Sequence, residues 1–296
     1  MTYKDILVEA SDKLKEVDIT EAELDARILF EEAFGVNRGW LLAHFSEKVD
    51  ITQESISLSY KKFLEYIERR SKRIPLQHIL GYRDFMGMKF RVTPDVLIPR
   101  MDTEILVEEA LLKLHDGMKI LDMCTGSGCI LISLLKYTNS CRGVGVDLSQ
   151  SALEVAEENA KELLKGRGDI SYCYVNSNMF SSEYFSENED GPFDLIVSNP
   201  PYIKSDVIPM LDIEVREHDP MMALDGGSDG LKFYRILAKE SPKYLASGGW
   251  IMLEIGYDEA KEVTELLSRN GFEDIETVKD LAGLDRVVKG RKPIKI

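Results

Sequence analysis

From about residue 101 onward, short apolar runs alternate with longer stretches of helical periodicity, and this alternation leaves few architectures open. Residues 119–122, 143–147, 170–175, 193–198 and 250–255 read as buried strands, and residues 130–137, 150–165, 231–246 and 258–270 read as helices between them. Strands joined through helices pair in parallel, with the helices covering both faces of the sheet. The last two runs, 272–278 and 285–289, have no helix between them and predict an antiparallel hairpin at the sheet edge. No internal repeat is present.

The first 72 residues differ in kind. Ile6, Leu7, Ala10, Leu14 and Val17 repeat at helical spacing, and Thr20 followed by Glu23 predicts a capping box for a second helix with Leu24, Ile28 and Leu29. Asn37 predicts the cap of a short helix through Trp40 and Leu41, and Ile56, Tyr60, Phe63, Leu64 and Ile67 mark a longer helix ending in the charged run 68–72. Residues 73–100 are punctuated by Pro75, Gly81, Gly87, Pro94 and Pro99 around short stretches such as 88–92 and 96–98, which suits a β-hairpin or extended connector. The predicted organisation is a helical domain over 1–72, a β-hairpin connector over 73–100 and an α/β domain over 101–296.

Charge and cysteine usage remove several function classes. Lys plus Arg is 37 against 52 for Asp plus Glu, a net charge of −15, so the chain as a whole repels nucleic acid. Cys124, Cys129, Cys141 and Cys173 show no C-x-x-C spacing and are expected as reduced thiols; the four histidines are scattered singly, so no metal site is expected. No apolar run has the roughly 18 residues a membrane span needs. The first residues carry charges where a signal peptide needs an apolar stretch, so a cytoplasmic protein is expected. The acidic run 187–190 reads as an exposed loop.

Two motifs carry chemistry. The first runs from Ile120 to Ile130 and holds Asp122, Cys124, Thr125, Gly126, Ser127 and Gly128 between the first strand of the α/β region and its helix. Glycines at such a bend let backbone approach a ligand, and the helix start offers free N–H groups. Nineteen residues after Gly128, Asp147 closes the next strand, where a carboxylate accepts from both hydroxyls of a ribose. The spacing D-x-C-x-G-x-G is not the G-x-G-x-x-G of a pyrophosphate site. A carboxylate at the loop suits a cationic group, which favours S-adenosyl-L-methionine, with its sulfonium and ammonium, over a dinucleotide. A structural strand–helix turn that binds nothing is the competing reading.

The second motif is Asn199-Pro200-Pro201-Tyr202, following a buried strand. At average residue usage it arises by chance in about one chain in a thousand of this length. Pro-Pro alone explains a rigid turn, but the turn falls at the carboxyl end of a parallel strand, where ligands bind in such sheets. A planar amide or aromatic amine is a poor nucleophile because its lone pair is delocalised. The Asn199 side-chain oxygen and the Pro200 carbonyl both accept, so together they hold one –NH₂ and turn its lone pair out of conjugation. Tyr202 offers a flat face to cover the planar group. Asn is no base, so catalysis here is positioning plus electrostatics.

These motifs, with Pro75–Tyr82, Leu97–Glu104, Ala223–Leu231 and Leu253–Gly256, resemble the HemK/PrmC family of protein-glutamine methyltransferases over residues 73 to the end. The resemblance implies a Rossmann-like methyltransferase domain with a small all-helical N-terminal domain that recognises the substrate. It implies S-adenosyl-L-methionine as cofactor, with Asp122, residues 124–128, Asp147, Asn178, Met179 and Asn199 holding it. It implies as partner a peptide chain release factor, whose Gly-Gly-Gln glutamine is held by Asn199, Pro200, Pro201 and Tyr202, with Asn199, Pro200 and Tyr202 catalytic. The enzyme is expected to be a monomer that binds no nucleic acid and no membrane directly. Cys124 stands where the family often has Gly, and its backbone is expected to avoid positive φ. Asn178 and Met179 stand where Asp and an aromatic are common, and Met101 where Pro is usual. Three alternatives remain at this point: a sister enzyme acting on a large-subunit ribosomal protein, a nucleic-acid adenine amino-methyltransferase, and a nucleoside-binding protein without catalysis. Arg100, Glu104 and Glu254 are ambiguous between cleft residues and ordinary ion pairs or loop caps; His218 reads as solvated.

Overall fold

A computed structural model describes residues 1–186 and 191–294; the acidic run 187–190 lies outside the described residues. The chain packs as two compact units, one of Met1–Gly81 with Asp212–His218, the other of Tyr82–Leu211 with Asp219–Ile296.

The first unit is helical: α1 (Tyr3–Lys15), α2 (Ala22–Phe34), α3 (Arg38–His44), α4 (Glu54–Ser71) and α5 (Leu76–Leu80). Its core holds Leu14, Leu29, Phe30, Phe63 and Ile67, with Phe30 stacked on Phe34 and edge-on to Tyr3 and Phe63. The capping box sits at α1, where Thr2 and Asp5 exchange side chain-to-backbone bonds, and not at Thr20/Glu23. Asp18 takes a left-handed conformation that delays α2 until Ala22, so Thr20 falls in the turn and Glu21 caps without a side-chain bond. Asn37 caps α3 as expected, accepting from the Trp40 amide. The guanidinium of Arg70, buried in α4, lies 2.7 Å from Asp25 and 2.9 Å from Glu214, so the segment 212–218 is tied to the helices by charge.

The second unit opens with the hairpin β1 (Tyr82–Phe85) and β2 (Met88–Arg91), antiparallel in register Tyr82 to Arg91. Residues 96–98 are extended connector and not part of the hairpin: Val96 and Ile98 are buried as loop residues ahead of Pro99. Helix α6 (Thr103–Leu111), which periodicity does not mark, precedes β3 (Lys119–Met123), α7 (Cys129–Tyr137), β4 (Arg142–Asp147), α8 (Gln150–Leu163), β5 (Ser171–Asn176), the short α9 (Glu183–Ser186) and β6 (Phe193–Ser198). Then follow α10 (Ile213–His218), which belongs to the first unit, α11 (Met221–Leu224), α12 (Lys232–Tyr244), β7 (Leu245–Glu254), α13 (Ala260–Arg269), β8 (Glu273–Lys279) and β9 (Asp285–Arg291).

The seven-stranded sheet has the order β5-β4-β3-β6-β7-β9-β8. Strands β3 to β7 are parallel, and β9 inserts antiparallel between β7 and β8. This is a Rossmann-like α/β fold, with apolar cores built on the two faces of the sheet around residues such as Leu131, Leu134 and Leu106, and Tyr234, Leu237 and Ile251. The order reverses between β3 and β6, and the carboxyl ends of the strands at such a reversal open a crevice.

Candidate active site

The crevice is a cavity of about 480 Å³ at the carboxyl edge of the sheet, within the usual range of small-molecule sites. Its floor is the loop from β3 to α7. Thr125 N–H bonds the Val146 carbonyl (2.9 Å), Gly128 N–H the Thr125 carbonyl (2.8 Å), and the Asn159 amide of α8 holds the Ser127 carbonyl (2.9 Å). Gly128 has φ +80, and a Cβ there meets Ile132 at 2.9 Å and Ala156 at 3.1 Å, so only glycine fits. Cys124 departs from expectation with φ +63, a conformation costing an L-residue about 1–2 kcal/mol. The loop needs that turn to come off β3, and the side chain is accommodated against Met179, whose sulfur lies 4.0 Å from the thiol. Burial pushes the Cys124 thiol well above its ordinary range, so it is a neutral packing group.

The two acidic residues of the first motif occupy different places. Asp147, ending β4, lines the cavity; one carboxylate oxygen accepts from Gly126 N–H and the other from Ser149 N–H, both at 2.9 Å. Each oxygen keeps a lone pair, and burial outweighs those bonds to raise its pKa. Asp122 does not line the cavity. It is fully buried beneath the loop, accepting from the Thr125 hydroxyl (2.6 Å) and Leu131 N–H (3.3 Å) through one oxygen. Burial pushes its carboxyl up to about 7. Strand β3 runs one residue further than the apolar run predicts, so Asp122 sits within the strand rather than at its open end.

Cys124, Thr125, Gly126, Ser127, Asp147, Asn178, Met179, Asn199 and Pro201 all line this cavity; Gly128, Pro200 and Tyr202 stand behind the lining. Asn199 donates through Nδ2 to the Thr103 hydroxyl (3.2 Å). Among the described residues nothing donates to Asn199 Oδ1 or to the Pro200 carbonyl, so both acceptors are available. The Tyr202 hydroxyl donates to Glu254 (3.3 Å). The segment after α11 grips the tetrapeptide from outside: Ile203 N–H donates to the Leu224 carbonyl (3.0 Å), and the Ile203 carbonyl accepts from Gly226 N–H (2.8 Å). A Cβ on Gly226 falls 2.7 Å from Tyr202 backbone atoms.

Of the ambiguous residues, Arg100 lines the cavity and pairs with buried Asp219 (2.6 Å), whereas Glu104 accepts from Met86 N–H and ties down the β1–β2 turn. Thr103, Asn159 and Lys232 are marked by no motif. Only Thr103 lies within a stretch that carries the family resemblance, and a lone threonine signals nothing until its partner is known. Among the described residues, no helix is long and apolar enough to cross a membrane, and no three His, Cys, Asp or Glu groups cluster as a metal site.

Two family profiles match the chain: the PrmC N-terminal domain over residues 5–81 and the methyltransferase small domain over residues 100–211. A release factor glutamine methyltransferase of Geobacter sulfurreducens is 41% identical over 278 residues, 94% of this chain and 92% of that one. The corresponding protein of Clostridium acetobutylicum is 39% identical over 97% of this chain and 98% of its own. Among solved structures, a methyltransferase from Pyrococcus furiosus superposes with a TM-score of 0.51 at 18% identity, over 70% of this chain and 90% of that one, a likeness of fold alone.

Proposed function

The chain belongs to the release factor glutamine methyltransferases, the HemK/PrmC family, and on that footing we propose that it methylates the side-chain amide of the glutamine in the Gly-Gly-Gln loop of peptide chain release factors, with S-adenosyl-L-methionine as methyl donor. The observation that carries the substrate half of this reading is the state of Asn199. Its Nδ2 is engaged by Thr103 while Oδ1 and the next carbonyl have no donor among the described residues, which is what a site for an –NH₂ group requires.

The cavity residues suit the donor. Asp147 keeps two lone pairs for a pair of ribose hydroxyls, and the loop 124–128 approaches closely through glycine backbone. Met179 gives a polarisable face and Asn178 an amide for the adenine. Asp147 in the wall leaves the region acidic, which suits a cation and disfavours a pyrophosphate. When bound, S-adenosyl-L-methionine supplies a methyl group on a sulfonium, open to displacement by a nucleophile.

The chain's own part is to prepare that nucleophile. Asn199 Oδ1 and the Pro200 carbonyl each accept one N–H of the glutamine amide, which fixes the nitrogen and turns its lone pair towards the methyl carbon. Pro201 lines the cavity beside the amide, and Tyr202, anchored through Glu254, backs it. Neither Asn nor a buried tyrosine takes up the proton, which leaves to solvent once the nitrogen carries its fourth substituent. The net charge of −15 favours a protein substrate over nucleic acid, and the proposed setting is the cytoplasm.

The test is single-turnover methylation of a release factor, with a factor whose loop glutamine is replaced as blank. Asn199→Ala lowers the rate roughly a hundred- to thousandfold, about 2.7–4 kcal/mol of barrier, while donor affinity changes little. A wild-type rate in Asn199→Ala reduces the tetrapeptide to a structural turn and overturns the reading.

A further inference from the structure

Met123, Ser198 and Leu253 pair in register across β3, β6 and β7, so the residues that follow them, Cys124, Asn199 and Glu254, emerge side by side at the carboxyl edge of the sheet. Glu254 is 1% exposed, and anchoring Tyr202 occupies only one of its two oxygens. Tyr202 donates to its Oε1, and Oε2 has no hydrogen bond of good geometry. Burial dominates its titration and pushes the carboxyl up to about 7; the Thr103 hydroxyl, the Arg286 guanidinium and Tyr202 act against burial, and Asp102 acts with it. Thr103, the first residue of α6, is itself 2% exposed. Its hydroxyl takes the Asn199 amide at 3.2 Å and stands close enough to Glu254, whose Oε2 is buried without a partner, to act on the carboxyl's titration.

A threonine hydroxyl has one proton to give, and once it is ionised, which for Glu254 is above pH about 7, a carboxylate can only accept. A hydroxyl between a carboxylate and an amide satisfies both only by donating to the first and accepting from the second. The two ends of an asparagine side chain have nearly the same shape, so polarity alone decides which end faces where. We propose that Glu254 and Thr103 are positioning residues that set the orientation of the Asn199 amide: Glu254 takes the Thr103 proton, Thr103 accepts from Nδ2, and Oδ1 is turned to the substrate. This rests on the reading of Asn199 as the acceptor for the substrate –NH₂. With the relay broken, Thr103 or its replacement no longer selects Nδ2, and a turned amide presents –NH₂ to –NH₂, two donors that cannot bond.

The experiment measures single-turnover methylation of a release factor, with donor affinity followed by calorimetry on the same proteins. Thr103→Val, which keeps the shape and loses the hydroxyl, slows methylation about tenfold or more with donor affinity unchanged, and Thr103→Ser restores the rate. Glu254→Gln, close in size, slows it as well. The variant Asn199→Asp has a carboxylate with the same atom at both ends and no orientation to set, so adding Thr103→Val or Glu254→Gln to it costs about twofold or less. A wild-type rate in Thr103→Val, failure of Thr103→Ser to restore it, or equal losses with and without Asn199→Asp overturns the relay. Should Thr103→Val not fold, Glu254→Gln with and without Asn199→Asp decides by the same comparison. A wild-type rate in Asn199→Ala overturns the underlying reading of the amide site instead, so the two failures are distinct.

Discussion

Asp122 and Asp147 stand near each other at the loop, yet burial and register give them separate roles. Asp147→Ala removes the acceptor proposed for the ribose hydroxyls; bonds to a charged group contribute about 1.5–3 kcal/mol each, so donor affinity falls about tenfold or more. Calorimetric titration with unchanged affinity removes Asp147 from the site. Asp122 has its effect on stability. Its folded pKa of about 7 lies above the ordinary aspartate value of 3.8, so between these the folded protein holds a proton that the unfolded chain has lost. Its contribution is thus fully present below pH about 4 and is lost as pH rises to about 7. Asp122→Asn flattens that part of the stability profile, seen as a smaller fall in Tm from pH 5 to 8 than in the wild type; parallel profiles count against a raised pKa. Asp147 was legible in the sequence because it closes a strand at a fixed distance from the loop. Asp122, expected among the residues that hold the cofactor, lies off the cavity lining, because one further residue of β3 keeps it within the strand and its carboxylate bonds Thr125 and Leu131. Thr103 was not legible at all, since its meaning depends on Asn199, 96 residues away.

Among the elements, strands with strong apolar runs matched their sequence reading closely, and β6 spans residues 193–198 as expected. Failures cluster where local signals compete. Thr20 and Glu23 have the right spacing for a cap, but the left-handed Asp18 puts Thr20 in the turn before α2. Helix α6 has an almost continuously apolar centre, Ile105-Leu106-Val107, which masks its periodicity. Residues 96–98 are apolar because Val96 and Leu97 line the cavity and Ile98 is buried, not because they pair. The strip 223–231, which enters the sequence reading through resemblance alone, has a mechanical explanation in the structure: it braces the tetrapeptide by backbone bonds at Ile203 and permits no side chain at Gly226. Gly226→Ala forces the Tyr202 backbone or the Gly230 carbonyl to move. Overpacking of this kind costs about 1–3 kcal/mol of stability. Because the displaced backbone carries Tyr202, methylation slows while donor affinity holds. A variant with normal kcat shows that the loop tolerates the shift.

For the molecule as a whole, the helical character of residues 1–72 was legible, but the unit runs on through α5 to Gly81, a stretch that reads as connector in the sequence, and nothing in 212–218 marks it as belonging with residues 1–81. What ties it there is charge, Glu214 on Arg70 and Arg73, and Asp212 on Arg73. Arg70 and Asp25 are both nearly sealed from solvent, and removing one member of a buried pair strands the other. Asp25→Ala is therefore expected to cost about 3 kcal/mol, the lower part of the range for a broken buried pair because Glu214 still meets Arg70. Urea unfolding followed by circular dichroism measures it, and a loss of about 1 kcal/mol or less equates the pair with an exposed one. The same discontinuity sets an order of events during synthesis. The ribosome releases Gly81 long before His218, 137 residues further along. At about 5–20 residues per second, the helices wait roughly 7 to 27 s with Arg70 short of one of its two carboxylates. An enzyme proposed to act on the factors that end translation thus finishes its own first unit only when most of its chain has already been translated.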